Sequence, residues 1–281
     1  MKDKLDLYID SVRHLPPAPK VMVELIALFK QPDRDVDQVV RLMSHDPSLT
    51  AEILRRCNSS FFGGEEPATD LFEAVLRLGF YELYRIVVAM SSMQAMSLPG
   101  INKVLPVEAL WQHSAAAAVI AGMVASRMHE SEGVAFTAGL LHDVGKIILA
   151  SQEGEKYGRL MLNVSASGSS LAEAEKEAFG FDHGEIGARL LTRWGLPSDI
   201  VLPVGHHHHL AGAEPCERLA ATVNLADAMA HCLGENPSTA PVMPPDCTAA
   251  MTILQLVPED MPLLLQQAQE GIQQTKGLMP A

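Results

Sequence analysis

Apolar residues recur every three to four positions along most of this 281-residue chain. The stripe of Val21, Leu25 and Leu28 is typical, and such spacing puts the apolar side chains on one face of a helix. We find no segment with the strict apolar and polar alternation of a half-buried strand. Only 5% of the residues are aromatic, whereas Ala, Leu, Met and Val are abundant, which favours packed helices over a β-sandwich. The sequence therefore predicts an all-α fold.

Helix starts and stops divide the first hundred residues. Asp46-Pro47 predicts an N-cap and a first helical residue, and Asn58-Ser59-Ser60 predicts the end of that helix. Gly79 predicts the C′ position of a helix over residues 71–78. Pro99-Gly100 is the first strong break in the pattern. We therefore expect an N-terminal helical subdomain over residues 1–97 and a second helical domain over residues 98–281.

Further helices are expected in the second domain from periodicity and from one capping-box pattern at Ser170-Leu171-Ala172-Glu173. These expected helices cover about residues 109–128, 136–150, 171–180, 184–194, 200–208, 219–232 and 261–275. Phe61-Phe62-Gly63-Gly64 is expected to form a turn, and the proline-rich segment 234–247 an exposed loop.

Charge and cysteine usage exclude several classes of protein. The net charge is -13, and the longest basic clusters are pairs such as Arg55-Arg56, so we expect no nucleic-acid partner. The first residues lack the apolar stretch of a signal peptide, and no run of about 18 apolar residues without charge predicts a membrane span. The 4 cysteines form no C-x-x-C pair, which is typical of free thiols in a reducing compartment. We expect a cytoplasmic protein with no membrane partner.

The segment 139–146, GLLHDVGK, places three polar side chains in an otherwise apolar stretch: His142, Asp143 and Lys146. Burying an imidazole beside a carboxylate is costly unless both groups are paired or bind a cation. Lys146 follows the other two by four and three residues, which places it on their face of a helix, where it could pair with Asp143 or hold a phosphate. The segment alone is equally compatible with a buried Asp–Lys ion pair beside a histidine that bonds to a carbonyl.

Other predicted helices offer further metal-ligand types in apolar settings. These are His113, His183, the run His206-His207-His208-His209, and Asp227. Each has a structural explanation when taken alone, but together they favour a metal site. Imidazole and carboxylate ligands suit iron, manganese, zinc or nickel, as one or two divalent ions. Such ions activate water for attack on a phosphoester.

Several motifs in the N-terminal third resemble the HDOD domain, the HD-related output domain of bacterial signalling proteins. They are Leu15-Pro16 with Pro19, Asp46-Pro47-x-Leu49-Thr50, Asn58-Ser59, and Ala74-Val75-x-x-Leu78-Gly79. The resemblance covers about residues 10–235. It implies an all-helical HD-superfamily domain preceded by a helical subdomain.

The chain also resembles the related HD-GYP phosphohydrolases at the positions that hold their metals. The resemblance makes His113 the leading histidine, His142-Asp143 the HD pair, Lys146 the following lysine, His183 the next histidine, His207-His208 the histidine pair, and Asp227 the closing aspartate. Two features depart from that pattern. The Gly-Tyr-Pro loop is absent, because Leu210–Pro215 follows the histidines, and position 109 is an alanine where an acidic ligand sometimes stands. The first departure argues against cyclic-di-GMP hydrolysis.

These patterns leave three hypotheses about function. The first is a signal-transduction output or scaffold module that retains a divalent metal site, with iron first among the candidate metals. In that hypothesis the N-terminal subdomain binds signalling proteins, and a phosphorylated small molecule is a possible ligand. The second is a metal-dependent phosphohydrolase acting on a nucleotide or cyclic nucleotide, with Asp143 and Lys146 in catalysis. The third is a structural domain with vestigial histidines, which predicts no bound metal.

Overall fold

The computed structural model describes residues 4–12, 19–31, 35–59, 67–96, 101–235 and 247–275. Within these ranges every regular element is helical, as the sequence predicts. The chain separates into two compact units. The smaller unit comprises residues 18–94 and 274–281, and the larger comprises residues 1–17 and 95–273.

The described residues of the smaller unit form five helices, and the middle three each begin after a capping aspartate. They are α2 (Lys20–Phe29), α3 (Val36–Ser44), α4 (Pro47–Cys57), α5 (Leu71–Leu78) and most of α6 (Phe80–Met96). The Asp46 carboxylate caps α4 by accepting from the backbone N–H groups of Ser48 and Leu49, each at 3.0 Å. Gly79 ends α5 with φ of 79°, a conformation that favours glycine. The predicted cap, the predicted start of α4 and the predicted end of α5 are confirmed.

The side chain of Asn58, just after α4, is hydrogen-bonded to the backbone of Ala68, shortly before α5. The Asn58 amide donates to the Ala68 carbonyl at 2.9 Å and accepts from the Ala68 N–H at 2.7 Å. The predicted stop at Asn58 is thereby confirmed, since its side chain satisfies backbone groups outside the helix. The predicted turn at 61–64 lies outside the described residues, as do the break at Pro99-Gly100 and most of the loop 234–247.

The larger unit contains the remaining α-helices of the described residues, except for the last two residues of α16. They are α1 (Lys4–Ser11), α7 (Val107–Arg127), α8 (Glu132–Leu141), α9 (Val144–Glu153), α10 (Glu155–Ser167), α11 (Leu171–Phe179), α12 (His183–Arg193), α13 (Ser198–His206), α14 (Glu217–Glu235), α15 (Thr248–Ile253) and α16 (Met261–Thr275). Six of the seven helices expected in this region are found within about three residues of their predicted limits. Helices α1, α10 and α15 were not expected from the sequence.

The one incorrect helix prediction concerns residues 136–150. The structure has two helices there, α8 and α9, and the chain turns between them at His142-Asp143. The sequence hides this break because apolar residues continue on both sides of it. The break matters for the site, since it places the His142 and Asp143 side chains at a junction and not along one helix face.

Helix α7 lies close to α8 because both use small residues at their contact. A β-carbon added to Gly139 on α8 would lie 2.9 Å from the Ala121 Cβ and 3.0 Å from the Ala117 carbonyl oxygen on α7. The alanine-rich sequence of α7 thus permits a near approach of two backbones. This approach carries His113 of α7 towards the end of α8.

Helix α1 belongs to the larger unit, although the sequence assigned it to the N-terminal subdomain. The Tyr8 hydroxyl donates to the Glu153 carboxylate on α9 at 2.9 Å, and Asp6 lies 3.2 Å from the Arg189 guanidinium on α12. The domain boundary after residue 97 stays a prediction, because compact units need not coincide with domains.

Among the described residues of the larger unit, two stretches have the length and composition of a membrane span. They are Val107–Arg127 and Glu132–Glu153, and 67% and 94% of their most apolar windows lie buried inside the protein. Such burial is typical of core helices.

Candidate metal centre

Every metal ligand predicted from the sequence lies in one cluster in the larger unit. His113 comes from α7, His142 and Asp143 from the junction of α8 and α9, and His183 from the first position of α12. His207 and His208 follow the end of α13, and Asp227 comes from the middle of α14.

The ligand atoms fall into three overlapping groups in which all the atoms lie within 4.8 Å of one another. The groups are His183, His207 and His208; His113, His142 and Asp227; and His142, Asp143 and His207. The first two groups share no residue, and the third overlaps both. The cluster therefore offers donors for one or for two ions.

Two of the histidines are held so that one ring nitrogen faces the cluster. The Nδ1–H of His142 donates to the Gly139 carbonyl and that of His207 donates to the Val204 carbonyl, both at 2.7 Å. Among the described residues, the Nε2 atoms of both rings and the Oδ1 atom of Asp143 have no hydrogen-bond partner, although all three atoms are buried. Buried polar atoms normally have a partner. Three such atoms turned towards one another fit a cation, so the residues present suit a metal.

Asp143 lies between the two separate groups. Its Oδ1 is 3.2 Å from His183 Nε2 and 3.5 Å from His142 Nε2, and its Oδ2 is 3.9 Å from His113 Nε2. Its Oδ2 also accepts from the Lys146 ammonium at 2.6 Å. The carboxylate therefore contacts both halves of the cluster as well as a cation.

The electrostatics of the cluster favour the metal-binding protonation state at Asp143, Asp227 and His207. Burial lowers the pKa of His142, but the Asp143 and Asp227 carboxylates raise it above its usual value. Burial alone would raise the pKa of Asp143, but the His142 imidazole and the Lys146 ammonium hold it well below its usual range. Burial likewise opposes ionisation of Asp227, but His113 and His142 lower its pKa well below normal. Burial, with His142 and His183 nearby, lowers the pKa of His207 to about 3. Ionised carboxylates and a neutral imidazole are metal-binding forms.

A buried carboxylate that sequence reasoning missed holds His183 in place. Glu175 on α11 accepts from the His183 Nδ1–H and from the His183 backbone N–H, both at 2.7 Å. The Tyr157 hydroxyl on α10 donates to the same carboxylate at 2.6 Å. A carboxylate behind a metal-binding histidine fixes its orientation and its free nitrogen. The available signal was the position of Glu175 in the buried stripe of α11 with Ala172 and Phe179.

The same carboxylate, Glu175, also sets the proton affinity of His183. Burial alone lowers the pKa of that imidazole, but the Glu175 carboxylate outweighs it and raises the pKa to about 9. The His183 Nε2 lies 2.8 Å from the His208 Nε2. An ion that binds at this nitrogen must therefore displace a proton.

The local backbone places His183 against the HD junction. Asp182 and Glu185 form a capping box that starts α12 at His183. A β-carbon added to Gly145 would lie 1.9 Å from the His183 carbonyl oxygen, so only glycine fits there. The first turns of α9 and α12 thus touch backbone to backbone, which brings His183 within reach of Asp143.

The remaining histidines of the run lie outside the three groups. His206 Nδ1 is 3.2 Å from the His209 carbonyl oxygen, and His209 Nε2 is 3.5 Å from Asp182. A second missed residue, His231, lies at the rim. It follows Asp227 by four positions on α14, and this spacing was the signal that could have found it.

A comparison of the sequence with models of known protein families identifies the family of this chain. The HDOD domain model matches residues 15–210, well over half of the chain. The chain belongs to the HDOD family. The HDOD match ends before α14, so Asp227 and His231 come from the part of the chain beyond it.

Two similar proteins match most of this HDOD chain, and a third matches less than half of it. A provisionally named phosphohydrolase from Shewanella amazonensis SB2B has a solved structure with a TM-score of 0.73 and 26% identity, covering 96% of this chain and 97% of that one. An uncharacterised protein of Treponema pallidum is 25% identical to this chain over 81% of its residues. The matched region is 44% of the length of that relative. Ribonuclease Y of Thermus thermophilus is 30% identical over 42% of this chain, a region that is 16% of the ribonuclease.

Proposed function

We propose that this protein is a signal-transduction output module of HDOD type whose HD site binds one or two divalent ions. The observation that carries the proposal is a set of three buried atoms with no hydrogen-bond partner in the part of the chain that the structure describes: His142 Nε2, Asp143 Oδ1 and His207 Nε2. Leaving such atoms unpaired in a protein interior is costly, and a cation would satisfy all three at once. Iron is our first candidate, followed by manganese, zinc and nickel.

The output role includes a partner protein that binds the smaller unit. Helix α5 of that unit buries one apolar face, yet it also exposes 46% of Phe72 and 62% of Leu76, one turn apart. Exposed apolar pairs of this kind are common where proteins bind one another. The chain spans under half of its Treponema pallidum relative, so further segments in such relatives are natural sources of the signal.

A second candidate function is hydrolysis of a phosphoester by the same site. The contact of 2.6 Å between Lys146 and Asp143 favours hydrolysis, since it places a cation beside the metal ligands. The side chain of Lys146 is 15% exposed. Divalent ions in such sites activate water for attack on phosphorus. In this function Asp143 and Asp227 hold the metal, and Lys146 donates to a phosphoryl oxygen. The names of the Shewanella and Thermus proteins are consistent with this chemistry.

Metal analysis of the purified chain tests the proposal. The full-length protein is purified aerobically and anaerobically, and its metal content is compared with that of Asp143→Ala. We expect stoichiometric metal in the natural chain and a strong loss in the variant, because removing a ligand or its support weakens a real site markedly. Less than about 0.2 metal per chain in both preparations would refute the metal site.

A substrate screen then separates the two functions. Metal-loaded protein is assayed against nucleotides, cyclic nucleotides, a phosphorylated small molecule and a short RNA. Turnover that Lys146→Ala abolishes would favour the enzyme. No turnover at full metal occupancy would favour the output module.

A further inference from the structure

Helix α14 carries a polar side chain, Asn224, in an otherwise apolar run. Asn224 is 8% exposed, and its neighbours Val223 and Leu225 are fully buried. Burying an amide costs free energy unless it is hydrogen-bonded, so packing alone would favour an apolar side chain of similar size. The position of Asn224 therefore calls for a polar partner.

That partner is the backbone of a proposed metal ligand. The Asn224 Nδ2 donates to the His207 carbonyl at 2.7 Å, in a buried contact. In the described part of the chain, the Asn224 Oδ1 has no hydrogen-bond partner. The side chain thus leaves its own acceptor unused and contributes a donor to His207.

His207 is held at two points as a result. Its Nδ1–H donates to the Val204 carbonyl of α13, which sets the orientation of the ring. Its own carbonyl accepts from Asn224 on α14, which sets the position of the turn that carries both His207 and His208.

The same helix also supplies a ligand of the other ion group. Asp227 follows Asn224 by three positions, so the two side chains lie on one side of α14. The Asp227 Oδ1 is 2.9 Å from His113 Nε2 and 3.6 Å from His142 Nε2. Helix α14 therefore contributes to one group directly, through Asp227, and supports the other through Asn224.

We propose that Asn224 is a positioning residue that fixes His207 and His208 relative to Asp227. This inference rests on the proposed metal site and deepens it. Ligand distances in metal sites vary by only about 0.2 Å, so a turn released from α14 would hold an ion poorly. The group of His183, His207 and His208 takes two of its three ligands from that turn. Binding of an ion to that group should depend on Asn224 most strongly.

Cobalt(II) titration of the full chain after chelation tests this role. We compare the natural chain with Asn224→Leu, which keeps a side chain of similar size but has no donor. The matched control is Thr222→Val, also buried on α14, whose lost hydroxyl bond goes to the Arg218 carbonyl at 2.9 Å within the helix. We expect Asn224→Leu to weaken cobalt binding about tenfold or more and to change the visible cobalt spectrum, because the ligand turn loses its support. We expect Thr222→Val to bind cobalt as the natural chain does.

Thermal unfolding of the metal-free proteins separates positioning from stability. Each substitution removes one buried hydrogen bond, so each should lower the melting temperature by roughly 1 to 6 °C. Only the loss at Asn224 should also change cobalt binding. Asn224→Ala, which is too small to clash with its neighbours, tests the same bond if leucine disturbs the packing, and circular dichroism checks the helix content of each variant.

The possible failures are distinguishable. If the natural chain binds cobalt and both Asn224 variants bind it with the same affinity and spectrum, Asn224 does not position the histidines and the metal site stands. If Thr222→Val loses as much affinity as Asn224→Leu, the effect comes from the stability of α14, and the positioning role is wrong. If the natural chain binds less than about 0.2 cobalt per chain, both the metal site and the role of Asn224 are wrong.

Discussion

Replacement of Gly145 by alanine adds one methyl group at the contact between α9 and α12. The new β-carbon would lie 1.9 Å from the His183 carbonyl oxygen and 2.8 Å from the Ile186 Cγ2. Real β-carbons essentially never approach a heavy atom within 3.0 Å, so the two backbones must separate by about 1 Å. The oxygen in this clash belongs to the backbone, so a side-chain rotation cannot relieve it.

A shift of this size has separate consequences for stability and for metal binding. Overpacking a close contact typically costs about 1–3 kcal/mol, which corresponds to a melting temperature lower by roughly 2 to 12 °C in a chain of this length. His183 would move with the start of α12, away from Asp143, which lies 3.2 Å from its Nε2. Metal sites tolerate deviations of only about 0.2 Å in ligand distance. We therefore expect a larger relative loss in metal affinity than in stability.

Thermal unfolding and a metal titration measure the two effects on the same protein. Gly158→Ala is the matched control, since its β-carbon would lie 3.5 Å from the nearest atom, in ordinary contact. Because Gly158 is inside α10, that control should leave stability unchanged or raise it by up to about 1 kcal/mol. If Gly145→Ala bound metal with the affinity of the natural chain, the backbone contact would not position His183.

Two further substitutions and the pH dependence of metal binding test other parts of the structure. Glu175→Gln should weaken metal binding about 10- to 100-fold, because the side chain that holds His183 loses its charge. In the same titration, the exposed control Glu177→Gln should bind metal as the natural chain does. Metal affinity should rise with pH between about 6 and 9, because the metal-free His183 keeps its proton below a pKa of about 9. The rise should be up to about tenfold per pH unit for each displaced proton. A metal affinity that is independent of pH would contradict this prediction. Asn58→Ala should lower stability by about 1–2 kcal/mol in chemical unfolding through the lost bonds to Ala68, yet leave metal content unchanged.

The helices and the ligand types could be predicted because both depend on local patterns. Apolar spacing and caps, such as Asp46 before Pro47, are legible over a few residues. The predicted ligands share one property that sequence shows directly, a metal-binding side chain in an apolar setting. The approach of His113 to His142 follows from packing that the small residues of α7 and α8 permit, and that of His183 to Asp143 from the contact at Gly145.

What the sequence did not predict depends on contacts between distant elements. Glu175 looks like one more charge in an acidic helix, and its role requires Tyr157 and His183 to arrive from two other helices. The break at His142-Asp143 escapes the periodicity because Leu141 and Val144 continue the apolar run across it. The place of α1 is set by Glu153, which lies 145 residues along the chain from its partner Tyr8.

That separation bears on how the protein is made on the ribosome. Arg189, the partner of Asp6, is synthesised 183 residues later, which at about 5–20 residues per second takes roughly 10 to 40 s. Residues 18–94 are complete well before then and form most of a compact unit. The contact between α1 and Arg189 can therefore form only after residues 18–94 have been synthesised and are available to fold.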